Sequence, residues 1–130
     1  MKRIQKRIIG SALAVVLLLV VSIGVYAAEV GCNKSYALRQ LSNVPDSSWV
    51  KQVIYNFEAN STTVTVTCTQ NTTSGAGVYV TISPGGTATL NQAGISYSVP
   101  AVKGDMVQVK IQLVTPNNTG TYTGYGTVVN

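Results

Sequence analysis

Histidine is absent from this chain of 130 residues, and charged side chains make up only 10% of it. The absence of histidine removes the usual general base, the commonest metal ligand and the Ser-His-Asp arrangement together. The chain has only two cysteines, so a zinc ion would lack an adequate set of ligands. We therefore expect neither a metal site nor another cofactor.

Acidic residues are also scarce, because the chain has only Glu29, Asp46, Glu58 and Asp105. A glycosidase needs two carboxyl groups that face each other across a cleft, and folding would have to bring Glu58 and Asp105 together to supply them. The sequence also lacks a glycine loop of the kind that cradles phosphate groups. We expect a protein that is not an enzyme, with a small secreted hydrolase as an alternative.

The net charge of +5 belongs mostly to the N-terminus, where Lys2, Arg3, Lys6 and Arg7 supply four of the nine cations. The rest of the chain has five cations against four acids, a net charge of +1. A nearly neutral body without a cluster of lysine and arginine has little attraction for a phosphate backbone. We therefore exclude nucleic acid as a partner.

The basic N-terminus precedes 21 residues without a charge, Ile8 to Ala28, which is the layout of an export signal. The compact residues around Ala27 predict cleavage after that position, which leaves residues 28–130 as the mature chain. Three alternatives stay open: an uncleaved signal anchor long enough to span a bilayer, a lipoprotein signal ending at Cys32, and a pilin-type leader cut near Gly10. Each predicts a secreted or cell-surface protein that meets a membrane only through this segment.

Cys32 and Cys68 are the only cysteines, and an even number in an exported chain favours one disulfide over a metal site or a reactive thiol. Alternation in the surrounding sequence places Cys68 on the same strand face as Val64 and Val66. We expect a bridge between the two cysteines, which would close a loop of about 36 residues and stabilise the domain by about 3–4 kcal/mol. Two buried thiols are the alternative.

Beyond the leader the sequence predicts short β-strands. It contains 15 valines and 15 threonines, and such β-branched residues favour strands. Residues 78–82 and 107–113 alternate cleanly, with the aliphatic side chains on one face, as in antiparallel sheets. Turn signals rich in glycine, proline and asparagine separate the strands. We predict an all-β fold, a small antiparallel β-sandwich that is immunoglobulin-like or related, preceded by an apolar signal helix.

The predicted organisation has three parts. Residues 1–27 are the signal peptide or signal anchor, residues 28–41 an N-terminal extension able to serve as an assembly strand, and residues 42–130 the sandwich domain. Residues 49–58 show both strand and helix spacing, and either Asp46 or Ser47 could cap a helix, but we favour a strand. In the last strand, Thr121 to Val129, glycines 124 and 126 mark a bulge or a close backbone approach.

Two sets of residues are candidate surface sites. Four Asn-X-Ser/Thr sequons are possible glycosylation sites, at Asn33, Asn60, Asn71 and Asn117. Aromatic side chains form a candidate binding surface for sugar rings or for another protein, at Trp49, Tyr79, Tyr122 and Tyr125.

The sequence therefore favours an exported, non-catalytic protein that acts through its surface. Threonine-rich strands with so few charges have little to prevent pairing between strand edges. We expect a structural or adhesive component of the cell surface, such as a filament, pilus-like or matrix subunit. Its partner would be a second copy or another surface protein. A carbohydrate-binding module that holds a polysaccharide is the alternative.

Overall fold

The structure is a computed structural model that describes residues 29–71 and 75–130. The predicted signal segment lies outside these residues. In the described part, no helix has the length and apolar character needed to cross a membrane. The strands are β1 Glu29–Val30, β2 Asn33–Gln40, β3 Gln52–Glu58, β4 Thr63–Asn71, β5 Gly77–Ser83, β6 Gly86–Leu90, β7 Ser96–Pro100, β8 Met106–Val114 and β9 Tyr122–Val129, and a short 3-10 helix spans Asp46–Ser48.

The strands form two packed sheets, which confirms the predicted β-sandwich. One sheet has the order β1-β3-β8-β5-β6, and we call it sheet A. The other has the order β2-β9-β4-β7, and we call it sheet B. All ladders are antiparallel except the two-residue pairing of β1 with β3.

The core lies between the sheets and is built by the alternation visible in the sequence. In β5 and β8 every second side chain points inward and is buried, and these residues are Val78, Val80, Ile82, Val107, Val109, Ile111 and Leu113. The side chains between them face outward from sheet A. One buried and one solvated face is the arrangement that antiparallel sheets use to cover a single core.

Residues 52–58 form β3, so the strand prediction for the ambiguous segment is confirmed. All seven residues pair with β8, from Gln52 opposite Gln112 to Glu58 opposite Met106. Asp46 begins only a 3-10 turn of three residues, with no buried side chain. Pairing with a central strand therefore decides the conformation where the local pattern suits both helix and strand.

β2 belongs to the sandwich itself. Its eight residues pair with β9 over the whole strand, and the side chains of Tyr36, Leu38 and Gln40 are buried. Strands from before and after residue 42, where the sequence predicts the start of the sandwich domain, thus pair in one sheet. Residues 33–40 of the predicted N-terminal extension are a strand of sheet B.

Gly126 in β9 permits the close approach that the sequence indicated. A Cβ atom at this position would overlap the carbonyl oxygen of Thr67 and the phenol ring of Tyr36. The Tyr36 hydroxyl crosses β9 here and donates a hydrogen bond of 3.0 Å to the Thr67 carbonyl. The register of β4 against β9 shifts beside this point, between Cys68 and Gln70.

Candidate interaction surface

The predicted disulfide is not formed, because the sheet register separates the two cysteines. Cys68 lies opposite Gly126, which lies opposite Tyr36, while Cys32 precedes Tyr36 by four residues. Two strand spacings and four residues along a strand correspond to about 16 Å, far beyond the limit of about 7 Å between the Cα atoms of a disulfide. Both side chains are buried thiols. Burial raises the pKa of each thiol, which suppresses the reactive thiolate.

The four candidate aromatic residues do not form one surface. Tyr79 is exposed on the outer face of sheet A, whereas Tyr125 is half-buried on the outer face of sheet B. Tyr122 is buried in the core. Trp49 follows the 3-10 helix, where its indole N–H donates a hydrogen bond of 2.9 Å to the Leu41 carbonyl. The two outward-facing rings, Tyr79 and Tyr125, therefore lie on opposite faces of the sandwich and cannot stack side by side as a platform for sugars.

The predicted glycosylation sites differ in their surroundings. Asn33, Asn60 and Asn117 are exposed, while the sequon at Asn71 continues into residues 72–74, which lie outside the described part. The Asn117 side chain is engaged in its own turn, because Oδ1 accepts hydrogen bonds from the backbone N–H groups of Thr119 and Gly120. Among the described hydrogen bonds, none engages the side chain of Asn33 or Asn60 in such a turn.

Gln40 is the centre of a buried polar network that the sequence does not reveal. Its side chain is completely buried. Nε2 donates to the carbonyl oxygens of Asn117 and Gly120 at 3.1 and 2.8 Å, and Oε1 accepts from Lys51 Nζ at 2.9 Å and from the Thr115 hydroxyl at 3.2 Å. Both polar atoms of the amide are therefore satisfied.

This network attaches the end of β2 to the turn between β8 and β9. Lys51 also lies 5.7 Å from the centre of the Trp49 ring, so the segment before β3 joins the same cluster. The arrangement holds three chain segments at one end of the sandwich. Its role is structural, since the amide faces only groups of the protein itself.

Of the two carboxyl groups considered for a hydrolase, Asp105 lines a groove that Glu58 does not line. The backbones at Glu58 and Asp105 lie close together in space, because the N–H of Ala59 donates a hydrogen bond of 2.8 Å to the carbonyl oxygen of Asp105. Asp105 lines an open, mainly apolar groove of about 390 Å³ with Pro84, Pro100 and Val102, and Glu58 is not part of its lining. Within residues 29–71 and 75–130, no three potential metal ligands cluster.

Charge is distributed unevenly around the sandwich. No charged residue occurs between Glu58 and Lys103, a run of 44 residues. This run contains β4, β5, β6 and β7. The nine charges of the described chain lie elsewhere, at Glu29, Lys34, Arg39, Asp46, Lys51, Glu58, Lys103, Asp105 and Lys110.

The two sides of the sandwich therefore differ. On one side the outer strands are β2, with Lys34 and Arg39, and β3, partly covered by β1. On the other side the outer strands are β6 and β7, which carry no charge at all. We call this second side the uncharged edge. The run of 44 uncharged residues is visible in the sequence. Only the sheet order shows that this run contains both outer strands on one side of the sandwich.

The uncharged edge continues into the apolar groove. β6 begins directly after Pro84 and Gly85, and β7 ends at Pro100, all of which line the groove. Val102 beside them is 65% exposed, which is the highest exposure among the large hydrophobic residues of the described chain. This end of the edge thus combines apolar side chains with one carboxyl group, that of Asp105.

Comparisons with known proteins do not assign this chain to a group. No protein-family model matches it, and no curated protein matches it either.

Proposed function

We propose that this protein is an exported, non-catalytic β-sandwich that acts as a structural or adhesive component of the cell surface. It would be secreted or displayed there after cleavage behind Ala27, as a filament, pilus-like or matrix subunit. An immunoglobulin-like arrangement of the two sheets is part of this proposal. Its partner is a second copy of the chain or another surface protein.

The uncharged edge is the observation that carries the proposal. Proteins normally protect outer strands with lysine, with proline or with inward-pointing charges, because unpaired N–H and C=O groups invite pairing with another chain. Here β6 and β7 carry no charge, whereas β2 on the opposite side carries Lys34 and Arg39. One side of the sandwich is thus suited to contact and the other is protected.

Self-association through the N-terminal strand receives less support. To serve as an assembly strand, residues 28–41 would have to separate from β9. This would remove the buried side chains of Tyr36 and Leu38 from the core and break the hydrogen bonds of Gln40. The uncharged edge requires no such rearrangement. We therefore assign self-association to the uncharged edge.

The proposal is tested on the mature protein recovered after export of the full chain. Light scattering and negative-stain microscopy over a wide concentration range should show dimers or larger assemblies. A protein that stays monomeric throughout and binds no other surface protein would contradict the proposal. A truncation to residues 42–130 is unsuitable as a test, because it removes the buried residues Tyr36 and Leu38.

Carbohydrate binding is the second candidate, and Tyr79 is the observation that favours it. Tyr79 is 37% exposed on the outer face of sheet A, and its register partners are Gln112 on β8 and Thr89 on β6. An exposed ring flanked by amide and hydroxyl groups suits a sugar. Retention on insoluble polysaccharides, lost in Tyr79→Ala and kept in Tyr125→Ala, would support this function; no retention of the unchanged protein would remove it.

A further inference from the structure

We propose that β6 is the strand through which two copies join, by antiparallel pairing of β6 with β6 of a second copy about a two-fold axis at Ala88. This rests on the proposed function, because it names the edge and the register of the self-association. The result is one continuous sheet of ten strands, made from the two copies of sheet A.

β6 is the least protected outer strand of the described chain. It pairs with β5 alone and lies at the end of sheet A, so its outer backbone groups face away from the sheet. Its sequence, Gly86 to Leu90, contains neither a charge nor a proline. β7 beside it ends at Pro100, which has no N–H to donate, and β2 carries two cations.

The pattern of side chains on β6 suits a two-fold pairing. Thr87 and Thr89 are exposed on the outer face of sheet A, and Ala88 between them is half-buried. With Ala88 on the axis, Thr87 lies opposite Thr89 of the second copy, and Thr89 lies opposite Thr87. Threonine pairs of this kind are favourable in antiparallel ladders, and the small Ala88 leaves room at the axis.

The charge distribution favours a second copy as the occupant. Both surfaces brought together are uncharged, so no charge loses its water in the contact. On sheet A, Lys110 is separated from Thr87 by β5, and the remaining cations lie on the opposite side or at the turn before β8. A strongly charged partner would find no opposite charge on β6. A polysaccharide would find no exposed ring on this strand.

The register is tested by forming disulfides between variants of the full chain that each add one exposed cysteine, while Cys32 and Cys68 stay buried and out of reach of a second copy. Thr87→Cys and Thr89→Cys proteins are mixed and mildly oxidised. Directly opposite residues have Cβ atoms about 4.5–5.5 Å apart, while two copies of Thr87→Cys present a diagonal pair at about 7–8 Å. We expect a covalent dimer from the mixture and much less from either variant alone. Thr87→Cys mixed with Ala37→Cys on β2 is the matched control.

The contribution of β6 to association is tested by charge. In Thr87→Lys/Thr89→Lys two pairs of like charges face each other across the axis, and we expect association to weaken at least about tenfold. The control is Ala37→Lys, an exposed residue of β2, which should associate like the unchanged protein.

The outcomes separate this inference from the proposed function. Association that persists in the lysine variant, with no covalent dimer from the cysteine mixture, overturns the pairing through β6 and leaves the surface role intact. A monomeric unchanged protein overturns the pairing through β6, and the proposed function then depends on whether another surface protein binds. Far-UV circular dichroism of each variant confirms that the sandwich is still folded.

Discussion

Replacing Gln40 by leucine tests whether the buried polar network holds β2 in its own sheet. The change keeps a side chain of similar size but removes both polar atoms of the amide. Gly120 then loses the hydrogen bond that Gln40 donates to its carbonyl, and Lys51 loses its acceptor. Asn117 is less affected, because the single proton of the Thr115 hydroxyl, which Gln40 Oε1 and the Asn117 carbonyl share, then goes to the Asn117 carbonyl at 2.8 Å.

The expected loss of stability follows from these two groups. A buried polar group that loses its partner costs about 1–3 kcal/mol, and burial of the leucine offsets part of that sum. Because Gly120 and Lys51 are half-buried and water can reach both, we expect Gln40→Leu to lower the free energy of unfolding by about 1–2 kcal/mol. Domains of this size have only about 5–15 kcal/mol in total, so the change is large.

Urea unfolding of the mature protein measures this loss. Trp49 is the only tryptophan, and it lies beside the network, so its fluorescence reports on the region directly. Circular dichroism reports on the sheets. Gln52→Leu, at an exposed position of β3, is the matched control and should change stability little. A Gln40→Leu protein as stable as the unchanged one would refute the reasoning, because the network would then contribute nothing.

Three further predictions concern the core. Gly126→Ala should lower the free energy of unfolding in urea by at least about 3 kcal/mol, because its Cβ would overlap the Thr67 carbonyl and the Tyr36 ring. A loss of about 0.5 kcal/mol or less, the size of an ordinary surface effect, would contradict this. Cys32 and Cys68 should react with maleimide only after unfolding, and the mass of the labelled protein should then show two added maleimide groups. A disulfide in the native protein would show that the register is wrong. Burial raises the pKa of both thiols and of the Tyr36 hydroxyl, so these groups lose their protons at lower pH in the unfolded chain than in the folded one. The free energy of unfolding should therefore fall as the pH rises beyond about 8.5–10. Equal melting temperatures at pH 7 and pH 10.5 would contradict this.

The strands with regular alternation could be predicted from the sequence. In β5 and β8 each inward position is a large aliphatic residue, so the period of two is unbroken. β2 was harder to recognise, because the inward set Tyr36, Leu38 and Gln40 ends in an amide. A buried glutamine looks like a surface residue until the carbonyl groups that it bonds are known.

Contacts between distant segments could not be predicted. The cysteine count indicates that a disulfide is possible, but only the ladder register shows how far apart Cys32 and Cys68 lie. Tyr122 and Tyr125 lie in the same strand on opposite faces, but their positions in the sequence alone did not show which of them faces the core. The uncharged run is plain in the sequence, but its meaning depends on the sheet order that places both β6 and β7 at one side.

Hydrogen exchange of the β6 backbone tests the central claim most directly. Among residues 29–71 and 75–130 of one copy, no strand pairs with the outward N–H groups of β6, so these groups should exchange fast in dilute solution and slowly at high concentration. The amides of β2 should show no such dependence on concentration. Exchange in β6 that is equally fast at every concentration would contradict the claim that this edge joins one copy of the protein to another.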